Sequence, residues 1–212
     1  KVGLDEHFLK CILDRPLDEE LRRTSEPTRL AMNCSGKHAG MLATCVFNGW
    51  STDSYLDPAH PLQRAIKSEV EQMSGESVAG VSVDGCGAPL FLFSLLGLAR
   101  AIRNLTISTD PVHQEVAQAC RDYPEMVSGP GRLATRMMQN NPGLFMKDGA
   151  EAVNVASLPD GRTLAIKISD GNARAMPAIT AAALAKFGID AHEVPVNTLG
   201  AGLPVGTIRA TL

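Results

Sequence analysis

The chain has 212 residues, 44% of them hydrophobic and 20% charged, with a formal net charge of −3. This is globular composition with ample material for a core, and it offers no electrostatic footprint for a nucleic-acid partner. Aromatics at 4% are too sparse for base-stacking platforms, no run approaches the roughly 18 apolar residues of a membrane span, and KVGLDEHFLK lacks the layout of a secretory leader.

In chain order, Leu4, Phe8, Leu9 and Ile12 predict a helix over 4–12. A polar, proline-broken stretch follows, 13–30. Residues 38–49 read as a helix with Met41, Leu42, Cys45 and Val46 inward. Pro61 suits a first helical position and opens a helix that ends at Gly75. VAGVSV (78–83) reads as a short buried strand, DGCGAP (84–89) as a turn, and 89–104 as a strongly apolar buried helix. Asp110-Pro111 caps and starts a helix to about residue 122. SGPGR is a loop before a short helix at 132–140.

Residues 143–176 read as consecutive strands, with Pro159-Asp160-Gly161 turning between 151–157 and 163–169. A helix over 176–188 stops at glycine, and a last strand is expected at 205–211. The order predicts an α+β fold: a mainly helical part, 1–142, and a sheet with a C-terminal helix, 143–212, within one domain spanning 1–212.

Chemistry concentrates in four places. In MNCSGKHAGML (32–42), Cys34 and Lys37 precede a helix, while Cys86 sits in a glycine turn between two elements. Exposed N–H groups and a nearby cation stabilise thiolates, and two thiolates together would bind a soft metal such as zinc. The alternative is two unrelated buried cysteines. Ser35 reads as a helix N-cap rather than a nucleophile, and His38 as a residue that orients substrate or caps the turn. Lys147 in MKDGAE forms a Lys-x-Gly at a strand end, similar to the Lys-Thr-Gly strand of serine β-lactamases and penicillin-binding proteins, or it is a plain exposed lysine. Asp84 closes an Asx-turn or receives a substrate ammonium group. Arg132 and Arg136 could accept a carboxylate or simply be solvated at a helix start. Cys11, Cys45 and Cys120 sit on apolar helical faces and read as core. An odd count of five scattered cysteines points to a reducing, cytoplasmic setting.

NCSGKHAGML, DGCGAP, GPGR and MKDGAE, in this order, resemble the rhizobial-type L-asparaginase II family, as do DPAHPLQ and KISDGNARA. The resemblance covers essentially the whole chain. It implies hydrolysis of the L-asparagine side-chain amide to aspartate and ammonia, on a fold similar to that of serine β-lactamases and penicillin-binding proteins. It implies two serine–lysine tandems near one pocket, with Lys147 the lysine of one. It implies zinc ligated by Cys34, Lys37 and Cys86, with Asp84 and His38 near the substrate, and the assembly to consider is a homodimer.

One departure matters: no Ser-x-x-Lys occurs in the 212 residues. In the family both tandem serines and the other lysine lie N-terminal to the position matching residue 1, so the chain is expected to be N-terminally truncated and catalytically incomplete. The alternative is a non-catalytic, asparaginase-like protein that binds zinc or a small amino acid. A β-lactam or peptide hydrolase is disfavoured, because the cysteine turns have no purpose in that chemistry.

Overall fold

The computed structural model describes residues 2–189, 191 and 196–211. Helices and small antiparallel sheets make it an α+β protein, as the element order predicts. The chain forms two compact units, 1–93 and 94–212.

In the first unit the expected helix over 4–12 is reduced to a single 3-10 turn, Glu6–Phe8, capped by Asp5. Leu9 and Cys11 are buried, but Ile12 and Leu13 are exposed, so the apolar spacing does not make one packed face. Helix α1 (Glu19–Thr24) starts at Asp18, whose side chain accepts from the Leu21 N–H. Helix α2 (Ser35–Asn48) ends on Gly49 in the left-handed region, where glycine carries no steric cost. Met41, Leu42 and Cys45 face inward as expected, whereas Val46 is exposed. Helix α3 (Pro61–Ser74) starts on proline and packs against α2. A core of Leu9, Cys11, Met32, Met41, Leu42, Cys45, Tyr55, Leu62 and Cys86 holds this unit.

Two expectations fail here. Residues 78–83 do give a strand, β1 (Gly80–Val83), but an exposed one, with Val83 70% exposed. The single helix expected over 89–104 is instead strand β2 (Pro89–Leu92) followed by helix α4 (Leu95–Thr106). β1 and β2 pair antiparallel, from Gly80 opposite Leu92 to Val83 opposite Pro89. Proline at the first strand position, where no ladder donor is needed, is compatible with this. Ser94, two residues past the strand, caps the helix, its hydroxyl accepting from the Gly97 N–H at 2.9 Å.

In the second unit, which begins at Ser94, α4 lies against the sheet β3 (Phe145–Gly149), β4 (Val153–Ser157) and β5 (Thr163–Lys167), paired antiparallel in that order. Leu95 and Leu96 of α4 are exposed, contrary to a fully buried helix. The β4–β5 connection is the expected Pro159-Asp160-Gly161 turn, with the Gly161 N–H bonded to the Leu158 carbonyl. Helix α5 (Pro111–Asp122) is capped by Asp110 as expected. It is followed by α6 (Pro124–Ser128) and α7 (Leu133–Asn140), the latter packing on β3. Helix α8 (Met176–Ala185) stops three residues short of Gly188. The expected last strand is part of a hairpin, β6 (Asn197–Gly200) with β7 (Leu203–Thr207). The core joins Ala134, Met137, Met138, Leu144, Met146, Ala156, Leu158 and Leu184. Among the described residues no helix is long and apolar enough to cross a membrane.

Candidate functional site

The first unit brings together four of the six residues singled out in the sequence. Cys34 is the N-cap of α2, although its side chain makes no capping bond. Ser35 is therefore the first helical residue and not the cap; the chain turns one residue earlier, where the Ser35 N–H reaches the Met32 carbonyl at 2.9 Å. Lys37 follows in the first turn. From the other side, Asp84, Gly85, Cys86 and Gly87 form the β1–β2 turn. The Gly87 N–H bonds the Asp84 carbonyl at 2.8 Å, and Gly87 has φ +88, a conformation that favours glycine.

These two turns meet. Lys37 Nζ is 2.9 Å from Asp84 Oδ2, and the Cys86 thiol donates to the same oxygen at 3.2 Å. Asp84 Oδ1 accepts from the N–H of the next residue, Gly85, which is one residue short of the Asx-turn read from the sequence. The thiol sulfurs of Cys34 and Cys86 and an Asp84 carboxylate oxygen all lie within 4.8 Å of one another. Cys34 and Cys86 are thus not two unrelated core cysteines. Cys45 and Cys11 are buried in the same hydrophobic core as Cys86, as expected of them, but outside the group of clustered ligand atoms.

The electrostatics follow from this packing. Burial pushes the Cys34 thiol up, the Lys37 charge opposes that, and Cys86 and Asp84 push it further up. Burial pulls Lys37 down, but its bonds to Asp84 and Cys86 outweigh this and the net shift is upward. Burial pushes Asp84 up, but the hydrogen bonds from Lys37 and Cys86 prevail and hold its carboxyl below the usual range. Lys37 and Asp84 are therefore an ammonium–carboxylate pair, beside a Cys34 that keeps its proton.

His38, one position on, is fully buried. Burial and the Lys37 charge both lower its pKa, against a smaller upward pull from Asp84. Its Nδ1 is 2.7 Å from the Tyr55 hydroxyl. Tyr55 is a residue the sequence reading missed. A lone tyrosine in a loop (STDSYLDP) carries no spacing signal that would have found it.

The donor set suits a soft metal. The ligating atoms of Cys34, Asp84 and Cys86 lie within 4.8 Å of one another, and tetrahedral zinc with Zn–S near ~2.3 Å sets its donors a little under 4 Å apart. A metal here must displace the thiol protons. Lys37 as a ligand must also lose a proton and leave Asp84.

Lys147 lies in the second unit, the third residue of β3, opposite Val155 of β4. β3 is an edge strand of its sheet. The lysine is exposed and its ammonium donates to the Asp148 carbonyl oxygen, with Asp148 Oδ1 3.4 Å away. Asp148 also accepts from the Ser128 hydroxyl at 2.9 Å and from Arg132 Nη2 at 3.1 Å. Burial pushes Asp148 up, but the Lys147 charge and the Ser128 and Arg132 bonds prevail and keep it depressed. The guanidinium of Arg132 is thus engaged by a carboxylate of the protein itself. Cys120 is half-buried on α5, and burial raises its pKa.

Fold and cluster together define an α+β protein with a paired ammonium and carboxylate set between two thiols. Residues 1–205 match the L-asparaginase II family, and the chain belongs to that family. No curated protein matches the chain by sequence.

Proposed function

We propose that the chain works in hydrolysis of the L-asparagine side-chain amide to L-aspartate and ammonia, with the cluster of Cys34, Lys37, Asp84 and Cys86 in the substrate pocket. The observation that carries this reading is the family match over residues 1–205. The cluster supports it by supplying both signs of charge in one place, as recognition of a zwitterionic amino acid requires. In this reading Asp84 receives the substrate ammonium group and His38 helps to orient the ligand. Zinc would be held by Cys34 and Cys86 with Lys37, where it would fix a polar group of the substrate.

The chemical step is nucleophilic acyl transfer. Lys147, with its proton off, takes the proton of a serine hydroxyl. The serine oxygen then bonds to the amide carbon, the C–N bond breaks, and the nitrogen takes the proton back from Lys147 and leaves as ammonia. Water releases aspartate and restores the hydroxyl. Ammonia release from L-asparagine, with L-glutamine in parallel, tests this. Lys147→Ala is expected to lower kcat by about 10²–10⁴-fold, the range of a general base, and an unchanged kcat would remove Lys147 from the step.

A second reading is binding of L-asparagine or zinc without turnover. L-Asparagine binding measured by calorimetry, with no ammonia released by that same protein, would select it. Hydrolysis of a chromogenic cephalosporin would instead favour a β-lactam hydrolase.

A further inference from the structure

We infer that Tyr55 is a positioning residue that holds the His38 ring as the tautomer protonated at Nε2, so that the one lone pair of the ring is committed to Tyr55 and is not free to act as a base or metal ligand. This rests on the pocket reading above only for the place of His38 beside Lys37. The tautomer follows from a count of protons. Tyr55 and His38 are both 0% exposed, so water does not complete their hydrogen bonds. The Tyr55 oxygen accepts from the Lys10 backbone N–H at 2.9 Å, and an amide N–H can only donate.

The phenolic proton must then find an acceptor. Among the described residues the other polar atom bonded to that oxygen is His38 Nδ1, at 2.7 Å. Tyr55 therefore donates, Nδ1 offers its lone pair, and the ring proton sits on Nε2. The opposite tautomer would load the phenol oxygen with two N–H donors and strand its own proton in the hydrophobic core to which Tyr55 belongs. A doubly protonated ring would do the same and bury a charge as well. In the inferred tautomer only one group is unmet, the Nε2–H, and Nε2 is a buried atom without a partner among the described residues.

The consequence is chemical. The single lone pair of a neutral imidazole is what accepts a proton or binds a metal, and here Tyr55 occupies it. A histidine one position from Lys37 is a natural candidate to join a zinc site. The Lys10–Tyr55–His38 chain commits its lone pair elsewhere, and His38 is not among the proposed ligands.

The test is two-bond ¹H–¹⁵N correlation on the full chain labelled with [¹⁵N]histidine at pH 7, with His38 identified by the signal lost in His38→Gln. An unprotonated Nδ1 and protonated Nε2 are expected; the reverse pattern, or a doubly protonated ring, overturns the inference. Tyr55→Phe is expected to shift the tautomer ratio several-fold with the circular dichroism unchanged, and an unaltered ratio in a folded variant overturns the role of Tyr55. Should the variant not fold, a slowly exchanging Tyr55 hydroxyl proton coupled to Nδ1 in the unaltered chain supports the assignment, and its absence defeats it. Added zinc is expected to leave both His38 nitrogens in place; a ligation shift at either one overturns it. Failure of the thiols to take up zinc at all, read by their continued reactivity, removes the metal reading and leaves the tautomer standing.

Discussion

Lys37 Nζ stands 2.9 Å from Asp84 Oδ2 across 47 positions of sequence, tying the first turn of α2 to the β1–β2 turn. The lysine side chain is 45% and the aspartate 31% exposed, and a pair that wet contributes about 1 kcal/mol or less. Lys37→Met is therefore expected to leave the urea midpoint nearly unchanged. A loss of several kcal/mol would show that the pair is structural and not a feature of the pocket.

Cobalt(II) titration reports thiolate ligation through its charge-transfer absorbance. Cys34→Ala and Cys86→Ala are each expected to weaken metal uptake by about 100-fold or more, since each removes one of two soft donors. Cys45→Ala, in the core and not among the grouped ligand atoms, should keep the affinity while costing stability. Equal uptake in all three variants would place the metal elsewhere.

Asp148 makes stability depend on acid. Its folded pKa is depressed, against burial, by Lys147 and by bonds from Ser128 and Arg132. The contribution is fully present above the unfolded aspartate value of about 3.9 and disappears as the pH falls through the lower folded value. Asp148→Asn is expected to cost about 1–2 kcal/mol near pH 7. The gap in Tm between parent and variant should close as the pH drops below about 4. A gap that stayed constant to the acid limit would contradict the ionic origin.

Gly143 combines two constraints before β3. Its φ is +87, and a Cβ there would come within 2.9 Å of Pro159 Cγ. Gly143→Ala is expected to cost about 1–2 kcal/mol from the backbone alone, plus the displacement of the proline ring. Gly75→Ala, also left-handed at φ +71 but with open space around it, should show the backbone part only. Thermal melts of the two variants compare these directly.

Met146 is fully buried at the start of the sheet, while Phe47 on α2 is 82% exposed. Met146→Ala is expected to cost about 2–5 kcal/mol and Phe47→Ala about 0.5 kcal/mol or less. Similar losses at both positions would mean that the outer face of α2 is covered in solution.

Much of this was legible where a residue carries an unambiguous local signal. Pro61 and Asp110-Pro111 start helices because proline and an aspartate cap act through the next few atoms, whatever the tertiary context. Pro159-Asp160-Gly161 marks its hairpin for the same reason. The run at 89–104 misleads because Pro89 to Leu92 is as apolar as the helix after it, and only Phe93 and Ser94 separate them. Over so short a run, periodicity cannot tell a strand from a buried helix. At the site, the cysteines and Lys37 declare themselves by residue type. The Lys37–Asp84 pair and the Tyr55–His38 bond do not, since both depend on a tertiary approach over long separations.

The thiols of Cys34 and Cys86 come from turns about 50 residues apart, so any ion they share closes a long loop, and such closures are costly for a chain to make unaided. Between the two turns lie α2, α3 and β1, most of the regular structure of the first unit. The cluster would then work as a latch on that unit's assembly. Its unfolding would track free metal concentration by mass action, and supply of the ion would govern how long the first unit survives proteolysis as well as what its pocket can bind.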